Sequence, residues 1–192
     1  MCQRREHGGT LIHPFNNREV IAGQGTAGLE IAEDCAAAGL KPDAVLMPAS
    51  GGGLSAGIGL AVRDWSGDTD IVLVEPEGFD DYRRSLAAGA IVENETSAGS
   101  VCDALLINRP GDLSFAINRA NTASGVAVSD AEALAAVAFA FRELKLVVEP
   151  GGAVALAALL AGHVETAGRT LVVVLSGGNI DEAVLAGALA LE

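Results

Sequence analysis

The sequence is poor in cysteine and histidine, and neither residue forms a pattern that would bind a metal or catalyse hydrolysis. Cys2, Cys35 and Cys102 are widely separated and show no disulfide or zinc-ligand spacing. The three histidines do not cluster, and the motifs C-x-x-C and H-E-x-x-H are missing. These absences count against redox enzymes, zinc proteases and triad hydrolases. This use of cysteine is typical of the reducing cytoplasm, which is the location we expect.

Basic residues are also scarce. The 192-residue chain has 12 Lys and Arg residues against 25 Asp and Glu residues, a formal net charge of −13. So acidic a protein repels nucleic acid and anionic membranes, and we predict neither as a partner. Charged residues interrupt every apolar run before it reaches the length of a membrane span, and the first ten residues lack the apolar core of a signal peptide. A small anionic ligand is compatible with this charge, because backbone N–H groups can bind it locally.

What the chain has in abundance is small apolar residues, arranged in two alternating patterns. Short, nearly continuous β-rich runs predict strands that are buried on both faces, at 43–48, 70–76 and 170–178. Ala-rich runs with helical spacing predict helices at 26–39, 130–146 and 152–162. The alternating order predicts an α/β fold, an open and mostly parallel sheet with helices on both faces.

Several boundaries can be predicted as well. Ser129 is a good helix N-cap and Gly39 a good helix stop. The stretch 91–121 is less regular and predicts loops with a short helix near 110–120. Residues 8–15 predict a strand followed by a loop, and a strand with so little chain before it suggests the last strand of a missing unit. We interpret His13, which precedes Pro14, as a structural residue rather than a base.

The stretch "PASGGGLSAGIG" at 48–59 follows a predicted strand and precedes a predicted helix. Three glycines without side chains let successive N–H groups approach an anion, and the helix dipole adds to the attraction. The motif matches neither a dinucleotide loop nor an NTP loop. Two interpretations stay open on this evidence, a phosphate site and a tight turn with close helix packing.

Two further loops also follow or precede buried elements. Ser176 in "LSGGNID" ends a predicted strand, so its hydroxyl could face a ligand or simply belong to a turn. Glu149 in "VVEPGGAVA" lies among apolar residues before a helix, and it could be a functional carboxylate or a helix N-cap. The acidic stretch 75–82 offers oxygens that hard cations prefer, but its spacing is not that of an EF-hand. On chemistry alone, a solvated acidic turn is the simpler interpretation of this stretch.

Six segments in this order resemble the serine/threonine dehydratase and serine racemase family: GGTLIHPF, AGQGTAGLEI, PASGGGLSAGI, VEPEGFDD, VVEPGGA and VVLSGGN. The resemblance runs from about residue 8 to the C-terminus. It implies a pyridoxal 5'-phosphate (PLP) enzyme with the tryptophan-synthase-β-like fold, also called fold type II. It therefore implies that the predicted α/β sheet is the large-domain portion of that architecture.

The resemblance also implies roles for individual residues. The phosphate cup of the family matches Ser50, Gly51, Gly52, Gly53 and Leu54. The serine that bonds the pyridine nitrogen matches Ser176, and a neutral hydroxyl there suits β-elimination better than transamination. Glu149 is implied to lie beside the cofactor. In family members that bind Mg or Ca, the matching oxygens come from Glu75, the carbonyl of Phe79 and Asp81.

Two features depart from the family. The S-F-K-x-R-G segment with its Schiff-base lysine and the S-G-N-H-A substrate loop are both missing, so no catalytic residue is assigned in this chain. Lysine occurs only at Lys41 and Lys145, and neither is predicted to lie on a ligand-facing loop. Dehydratases usually carry A-D-G where this chain has Ala98, Gly99 and Ser100, so the wall beside the cofactor ring is expected to differ.

We therefore expect the C-terminal portion of a dehydratase, with residues 1–15 as a remnant of the small domain and 16–192 as part of the large domain. The implied reaction converts L-threonine, L-serine or similar β-hydroxy amino acids to 2-oxo acids and ammonia. Alternatives are an inactive truncated fragment and, within the fold, a racemase or a hydroxyectoine-pathway dehydratase. An unrelated phosphosugar or nucleotide binder is a third class. A separate N-terminal chain is the expected partner if the protein is split, and the family implies a homo-oligomer once the fold is complete.

Overall fold

The computed structural model describes residues 11–191, in which helices and strands alternate along the chain. The elements are α1 (Arg18–Ala37), β1 (Ala44–Pro48), α2 (Gly53–Trp65), β2 (Asp70–Pro76), α3 (Asp81–Ala88), α4 (Asp112–Asn121), β3 (Ser124–Val128), α5 (Asp130–Phe139), α6 (Pro150–Leu160), β4 (Leu171–Val173) and α7 (Glu182–Leu189). A 3-10 turn spans Asp103–Leu105, and a π-helical turn at Ala140–Leu144 continues α5. None of the described helices is long and apolar enough to cross a membrane.

The four strands form one sheet in the order β3-β2-β1-β4, and every neighbouring pair is parallel. Ala44 of β1 aligns with Asp70 of β2 on one side and with Leu171 of β4 on the other. All four strands therefore end at the same edge of the sheet, and the loops that follow them meet there. This architecture confirms the predicted α/β class and the open parallel sheet.

Helices cover both faces of the sheet, which explains why the strand sequences are continuously apolar. Val45 and Met47 of β1 pack into a core with Ile58 of α2 and Phe115 of α4. Leu46, on the opposite face of β1, packs into a second core with residues of α5, α6 and α7. Since successive side chains of a strand point to opposite faces, both sets of positions must be apolar.

Most predicted boundaries are confirmed, and the exceptions have local causes. Ser129 caps α5 in a capping box with Glu132, and Gly39 has the left-handed φ of 67° expected after a helix end. The predicted helix at 26–39 begins earlier, because the Asn17 side chain accepts hydrogen bonds from the first turn of α1. The predicted strand 170–178 is shorter, since regular pairing ends at Val173. Strand β3 was not predicted, because its sequence SGVAV is short and only partly apolar.

The predicted strand at 8–15 falls partly outside the described residues, and Leu11, Ile12 and His13 form no strand. That part of the prediction is wrong. His13 instead accepts a hydrogen bond from the N–H of Asn16 through its Nδ1 atom, at 3.1 Å, which stabilises a turn as a structural histidine would. No peptide bond in the described part of the chain is cis.

Helices α1 and α2 approach each other closely because glycines line their contact. A methyl group on Gly57 would meet the backbone nitrogen of Gly25 at 2.6 Å and the carbonyl oxygen of Ile21. A methyl group on Gly59, in the same helix, would meet nothing within 4 Å. The backbone contact at Gly57 therefore sets the distance between α1 and α2, which both pack next to the glycine loop.

We predict that Gly57→Ala destabilises the protein by about 1–3 kcal/mol, because the added methyl group forces the two helices apart. Gly59→Ala is the matched control and should be neutral or stabilising by up to about 1 kcal/mol, since alanine is the better helix former. Urea unfolding followed by circular dichroism measures both. Equal stabilities of the two variants would contradict the close backbone contact.

Candidate active site

The loop that follows β1 lines a cavity of about 290 Å³ at the carboxyl edge of the sheet. The cavity is bordered by the whole glycine loop, Ser50–Ser55, and by Phe15, Leu105 and Ser176. The structure therefore brings Ser176 next to the predicted phosphate cup, although the two stretches are far apart in the sequence. A volume near 300 Å³ is at the lower end of the range for small-molecule sites.

The glycine loop presents backbone donors that no described residue uses. The N–H groups of Ser50 through Ser55 donate no hydrogen bond within the described part of the chain. The first N–H groups of α2 have no partner inside the helix, as at any helix N-terminus. Such a row of donors at the positive end of a helix dipole is suited to an anion.

The three glycines are required by packing as well as by the free donors. Gly52 has a φ of 87°, and a Cβ atom there would overlap the hydroxyl of Tyr82. A Cβ atom on Gly51 would overlap the ring of Phe15. The close-packing interpretation of this loop is therefore correct, and it holds together with the geometry of an anion site.

The remaining cup residues, Ser50 and Leu54, also border the cavity. The Ser50 hydroxyl donates to the carbonyl of Leu105 at 3.2 Å, so it ties the loop to the turn at 103–105. Ser176 is exposed at the cavity, and its N–H lies 3.4 Å from the carbonyl of Gly152. Ser50 thus contributes a link to a neighbouring loop, whereas Ser176 is exposed at the border of the cavity.

Glu149 occupies the N-cap position of α6, but its side chain does not cap the helix. Its carboxylate accepts a hydrogen bond from the N–H of Asn179 at 3.1 Å, and its own N–H donates to the carbonyl of Gly177 at 3.0 Å. Glu149 does not border the cavity described above. In this structure it connects α6 to the loop that carries Ser176.

The acidic stretch at 75–82 is buried except at Glu77 and Gly78, so its interpretation as a solvated turn is wrong for Glu75, Asp80 and Asp81. Glu75 is 0% exposed and Asp81 is 1% exposed, because α3 folds back over the end of β2. Both oxygens of Glu75 accept backbone hydrogen bonds, from Tyr82 at 3.0 Å and from Arg83 at 2.9 Å. Burial, reinforced by the nearby charge of Asp81, raises the pKa of Glu75 well above its usual value.

One oxygen of Asp81 has no partner. The Oδ1 atom accepts from the amide of Asn94 at 2.7 Å, whereas the buried Oδ2 atom has no hydrogen bond with any described residue. Burial raises the pKa of Asp81 to about 6. Phe79, whose carbonyl completes the implied ligand set, is also buried. The described residues hold no cluster of three or more His, Cys, Asp or Glu side chains that could bind a metal.

Asp80 lies in a different environment from its two acidic neighbours. Although partial burial alone would raise its pKa, hydrogen bonds from Arg83 and Arg84 bring the pKa of Asp80 below its usual value. The two arginines therefore neutralise Asp80 but leave the charges of Glu75 and Asp81 without a basic partner at hydrogen-bond distance among the described residues.

The two lysines and the A-D-G equivalent lie outside the cavity. Lys41 is exposed and pairs with Asp68 at 3.1 Å, and Lys145 is exposed beyond the π-helical turn. Ser100 bonds the carboxylate of Asp130 instead of facing the glycine loop, and Ala98 and Gly99 are exposed. In this part of the chain the cavity is bordered instead by Ala104, Leu105 and Ile107.

Sequence reasoning missed two aromatic residues at the site. Phe15 packs on Gly51 and Gly53 from the N-terminal segment, and Tyr82 lies under Gly52 from α3. The only available signal was that the glycines need a neighbour to fill the space they leave. A larger, open depression of about 480 Å³ lies at the edge strand β3, but neither the glycine loop nor Ser176 borders it, so we assign the ligand site to the smaller cavity.

Comparisons with known proteins show the family to which the chain belongs. The family model described as pyridoxal-phosphate dependent enzyme matches residues 2–177. The chain is 36% identical to the L-threonine ammonia-lyase of Thermotoga maritima over 91% of this chain and 42% of the relative. It is 35% identical to a serine racemase of Oryza sativa subsp. indica over 95% of this chain and 53% of the relative.

The fold is also similar to that of solved structures. The crystal structure of a threonine deaminase from T.th. superposes with a TM-score of 0.89 at 42% identity, covering 94% of this chain and 65% of that one. The chain spans about half the length of the curated relatives it matches. From this coverage and this identity, the chain belongs to the family of pyridoxal-phosphate dependent enzymes that includes threonine ammonia-lyases and serine racemases.

Proposed function

We propose that the cavity binds the phosphate of PLP through the cup Ser50, Gly51, Gly52, Gly53 and Leu54. The observation that carries this proposal is the row of unused N–H donors at the start of α2. Glycine leaves room for the phosphate oxygens to approach the backbone, and the helix dipole favours their charge. The residues present therefore fit the cofactor that the family uses.

Ser176 is the proposed partner of the pyridine nitrogen. Ser176 borders the same cavity as the cup and is an exposed residue. A neutral hydroxyl does not hold a proton on that nitrogen as a carboxylate would. Glu149 supports this position indirectly, because it fixes the loop through Gly177 and Asn179.

The proposed reaction of the complete enzyme is the elimination of water from a β-hydroxy amino acid, such as L-threonine or L-serine. The released enamine tautomerises to an imine, and its hydrolysis by water gives a 2-oxo acid and ammonia. When bound, PLP withdraws electrons from the α-carbon of the amino acid and so eases removal of its proton. The residues described here bind and orient the cofactor. The base that takes the proton would be the lysine of the S-F-K-x-R-G segment. Neither Lys41 nor Lys145 can replace it, since both lie away from the cavity.

We therefore propose that this chain by itself binds the cofactor without turnover, and that catalysis requires a lysine segment from the portion that the relatives have in addition. The inactive-fragment alternative shares the first half of this proposal. The two differ only in whether a complementing segment restores activity.

We also propose that Glu75, Asp81 and the carbonyl of Phe79 can hold a divalent cation such as Mg or Ca. Supporting observations are the buried Oδ2 atom of Asp81 without a partner and the burial of two carboxylates close to each other. Hard cations take carboxylate and carbonyl oxygens of this kind. Such an ion would compensate charges that are otherwise costly to bury.

The cup predicts a preference for the phosphorylated cofactor. Isothermal titration of the chain should give a dissociation constant for PLP that is roughly 10- to 100-fold lower than for pyridoxal, the difference of about 1.5–3 kcal/mol expected for charge-assisted hydrogen bonds. Equal affinities for the two compounds would contradict the phosphate assignment.

Trapping of the Schiff base tests whether the catalytic lysine lies outside this chain. After incubation of the chain with PLP and reduction with borohydride, we expect mass spectrometry to find no stoichiometric adduct on Lys41 or Lys145. Co-expression with an N-terminal segment that carries S-F-K-x-R-G should restore formation of 2-oxobutanoate from L-threonine. A stoichiometric adduct with activity of the chain alone would overturn the proposal, and inactivity after complementation would favour the inactive fragment.

The buried carboxyl groups predict a pH dependence of stability. The folded-state pKa of Asp81 is raised from 3.8 to about 6. Its contribution to the free energy of unfolding is therefore complete below the unfolded-state pKa and is lost as the pH rises through about 6. Glu75, raised in the same direction, adds to the loss. Asp81→Asn should remove about 1–3 kcal/mol of this decline, measured by urea unfolding between pH 4 and 8 without divalent ions.

The control is Asp68→Asn, which also removes one carboxylate but at an exposed position, where the ion pair with Lys41 contributes little to stability. Asp80 and Glu132, whose pKa values are lowered, change the free energy of unfolding with pH in the opposite direction. Since both residues are present in the variants and in the wild type, their contributions cancel when the variants are compared with the wild type. Millimolar Mg or Ca should raise the melting temperature of the wild type at pH 8 and not that of Asp81→Asn. An identical response of both proteins would contradict the cation site.

A further inference from the structure

The carbonyl side of the glycine loop is held by a buried cluster of three polar side chains, Tyr82, Ser114 and Asn118. The carbonyl of Gly51 accepts hydrogen bonds from the hydroxyls of Ser114 and, at 3.4 Å, of Tyr82. The carbonyl of Gly52 accepts from the amide of Asn118 at 3.1 Å. Backbone N–H groups bond the same two carbonyls, that of Gly111 to Gly51 at 3.1 Å and that of Ala56 to Gly52 at 3.0 Å. The cluster and the backbone together therefore fix the two peptide units at the centre of the loop.

The three side chains also bind one another. The Asn118 amide donates to the Tyr82 hydroxyl at 3.1 Å, and the Tyr82 hydroxyl lies 3.3 Å from that of Ser114. All three residues are buried, and none of them borders the cavity. Burial raises the pKa of Tyr82 to about 12, so its hydroxyl stays neutral and able to donate. A buried network of this kind is costly unless its members are satisfied, which favours one arrangement of the loop.

The direction of these carbonyls decides the direction of the free donors. In a trans peptide unit, the C=O of one residue and the N–H of the next point in opposite directions. Holding the carbonyl of Gly51 towards the cluster turns the N–H of Gly52 away from it, towards the cavity. Holding the carbonyl of Gly52 does the same for the N–H of Gly53.

The cluster is itself anchored from the strand below. Glu75 accepts the backbone N–H groups of Tyr82 and Arg83, which fixes the first turn of α3 at the end of β2. The Tyr82 hydroxyl then occupies the space that a side chain at Gly52 would fill. The ring can reach the loop only because residue 52 is glycine.

We propose that Tyr82, Ser114 and Asn118 are positioning residues that aim the N–H groups of Gly52 and Gly53 at the phosphate of the ligand. The proposal rests on the proposed function, since the phosphate is that of PLP. The three residues do not contact the ligand and act through the two carbonyls that they hold.

Tyr82→Phe and Asn118→Leu test this role by removing hydrogen bonds while keeping side-chain size. In isothermal titration, each variant should bind PLP about 5- to 20-fold more weakly than the wild type, as expected for lost hydrogen bonds. Affinity for pyridoxal, which lacks the phosphate, should change less than twofold. A variant that was merely less well folded would lose affinity for both compounds alike.

Ser85→Ala is the matched control, because Ser85 carries a buried hydroxyl on the same helix but bonds Val92 and not the loop. It should leave both affinities unchanged. Unchanged PLP affinity in Tyr82→Phe and Asn118→Leu, with a wild type that prefers PLP to pyridoxal, would overturn the positioning role alone. A wild type without that preference would instead overturn the phosphate assignment and the positioning role with it.

A second measurement does not depend on ligand binding. Amide hydrogen exchange of the ligand-free protein, followed at the hydrogen-bonded N–H groups of Ala49 and Ala56 on either side of the loop, should be faster in Tyr82→Phe and Asn118→Leu than in the wild type and in Ser85→Ala. Equal exchange in all four proteins would contradict the claim that the cluster fixes the loop.

Discussion

The orientation of two peptide units, those that join Gly51 to Gly52 and Gly52 to Gly53, is the constraint on which the site depends. Their carbonyls are bound on the buried side, and in the proposed site this directs their N–H groups to the ligand. Each neighbouring element contributes to this arrangement: β1 delivers the loop to the edge of the sheet, and α4 and α3 supply the hydrogen-bonding side chains. An anion site of this type is a property of the backbone, and the surrounding side chains are needed to hold it in one conformation.

The parts of the structure that were predictable from the sequence are those encoded by short, continuous patterns. Strands β1 and β2 stand out because both of their faces are buried, and Ser129 marks its helix by local capping chemistry. The positions of the glycine loop and of Ser176 followed from the rule that loops after parallel strands meet at one edge. Their assignment to a cofactor came from resemblance to a family and not from the glycines themselves.

The errors have a common cause, which is that they concern contacts between distant segments. Whether the stretch 75–82 is solvated or buried depends on how α3 folds back over the end of β2, and its own sequence does not encode this packing. Strand β3 is specified by its pairing with β2 more than by its own residues. In the sequence, Tyr82 is one aromatic residue in an acidic stretch, and nothing near it indicates its contact with Gly52, which only the fold brings about.

A chain with a net charge of −13 and a proposed anionic ligand presents an apparent conflict, which the local geometry resolves. Among the described residues, neither Lys nor Arg borders the cavity, so neutral backbone donors hold the place that basic side chains take in many phosphate sites. The acidic pair Glu75 and Asp81 is buried on α3 and β2 and does not line the cavity. Because the donors are fixed dipoles bordered by apolar groups such as Phe15 and Leu105, they interact with a charge more strongly than the same groups would in water. Affinity in such a site depends on how well the loop is held in place, and the net charge of the protein has little influence on it.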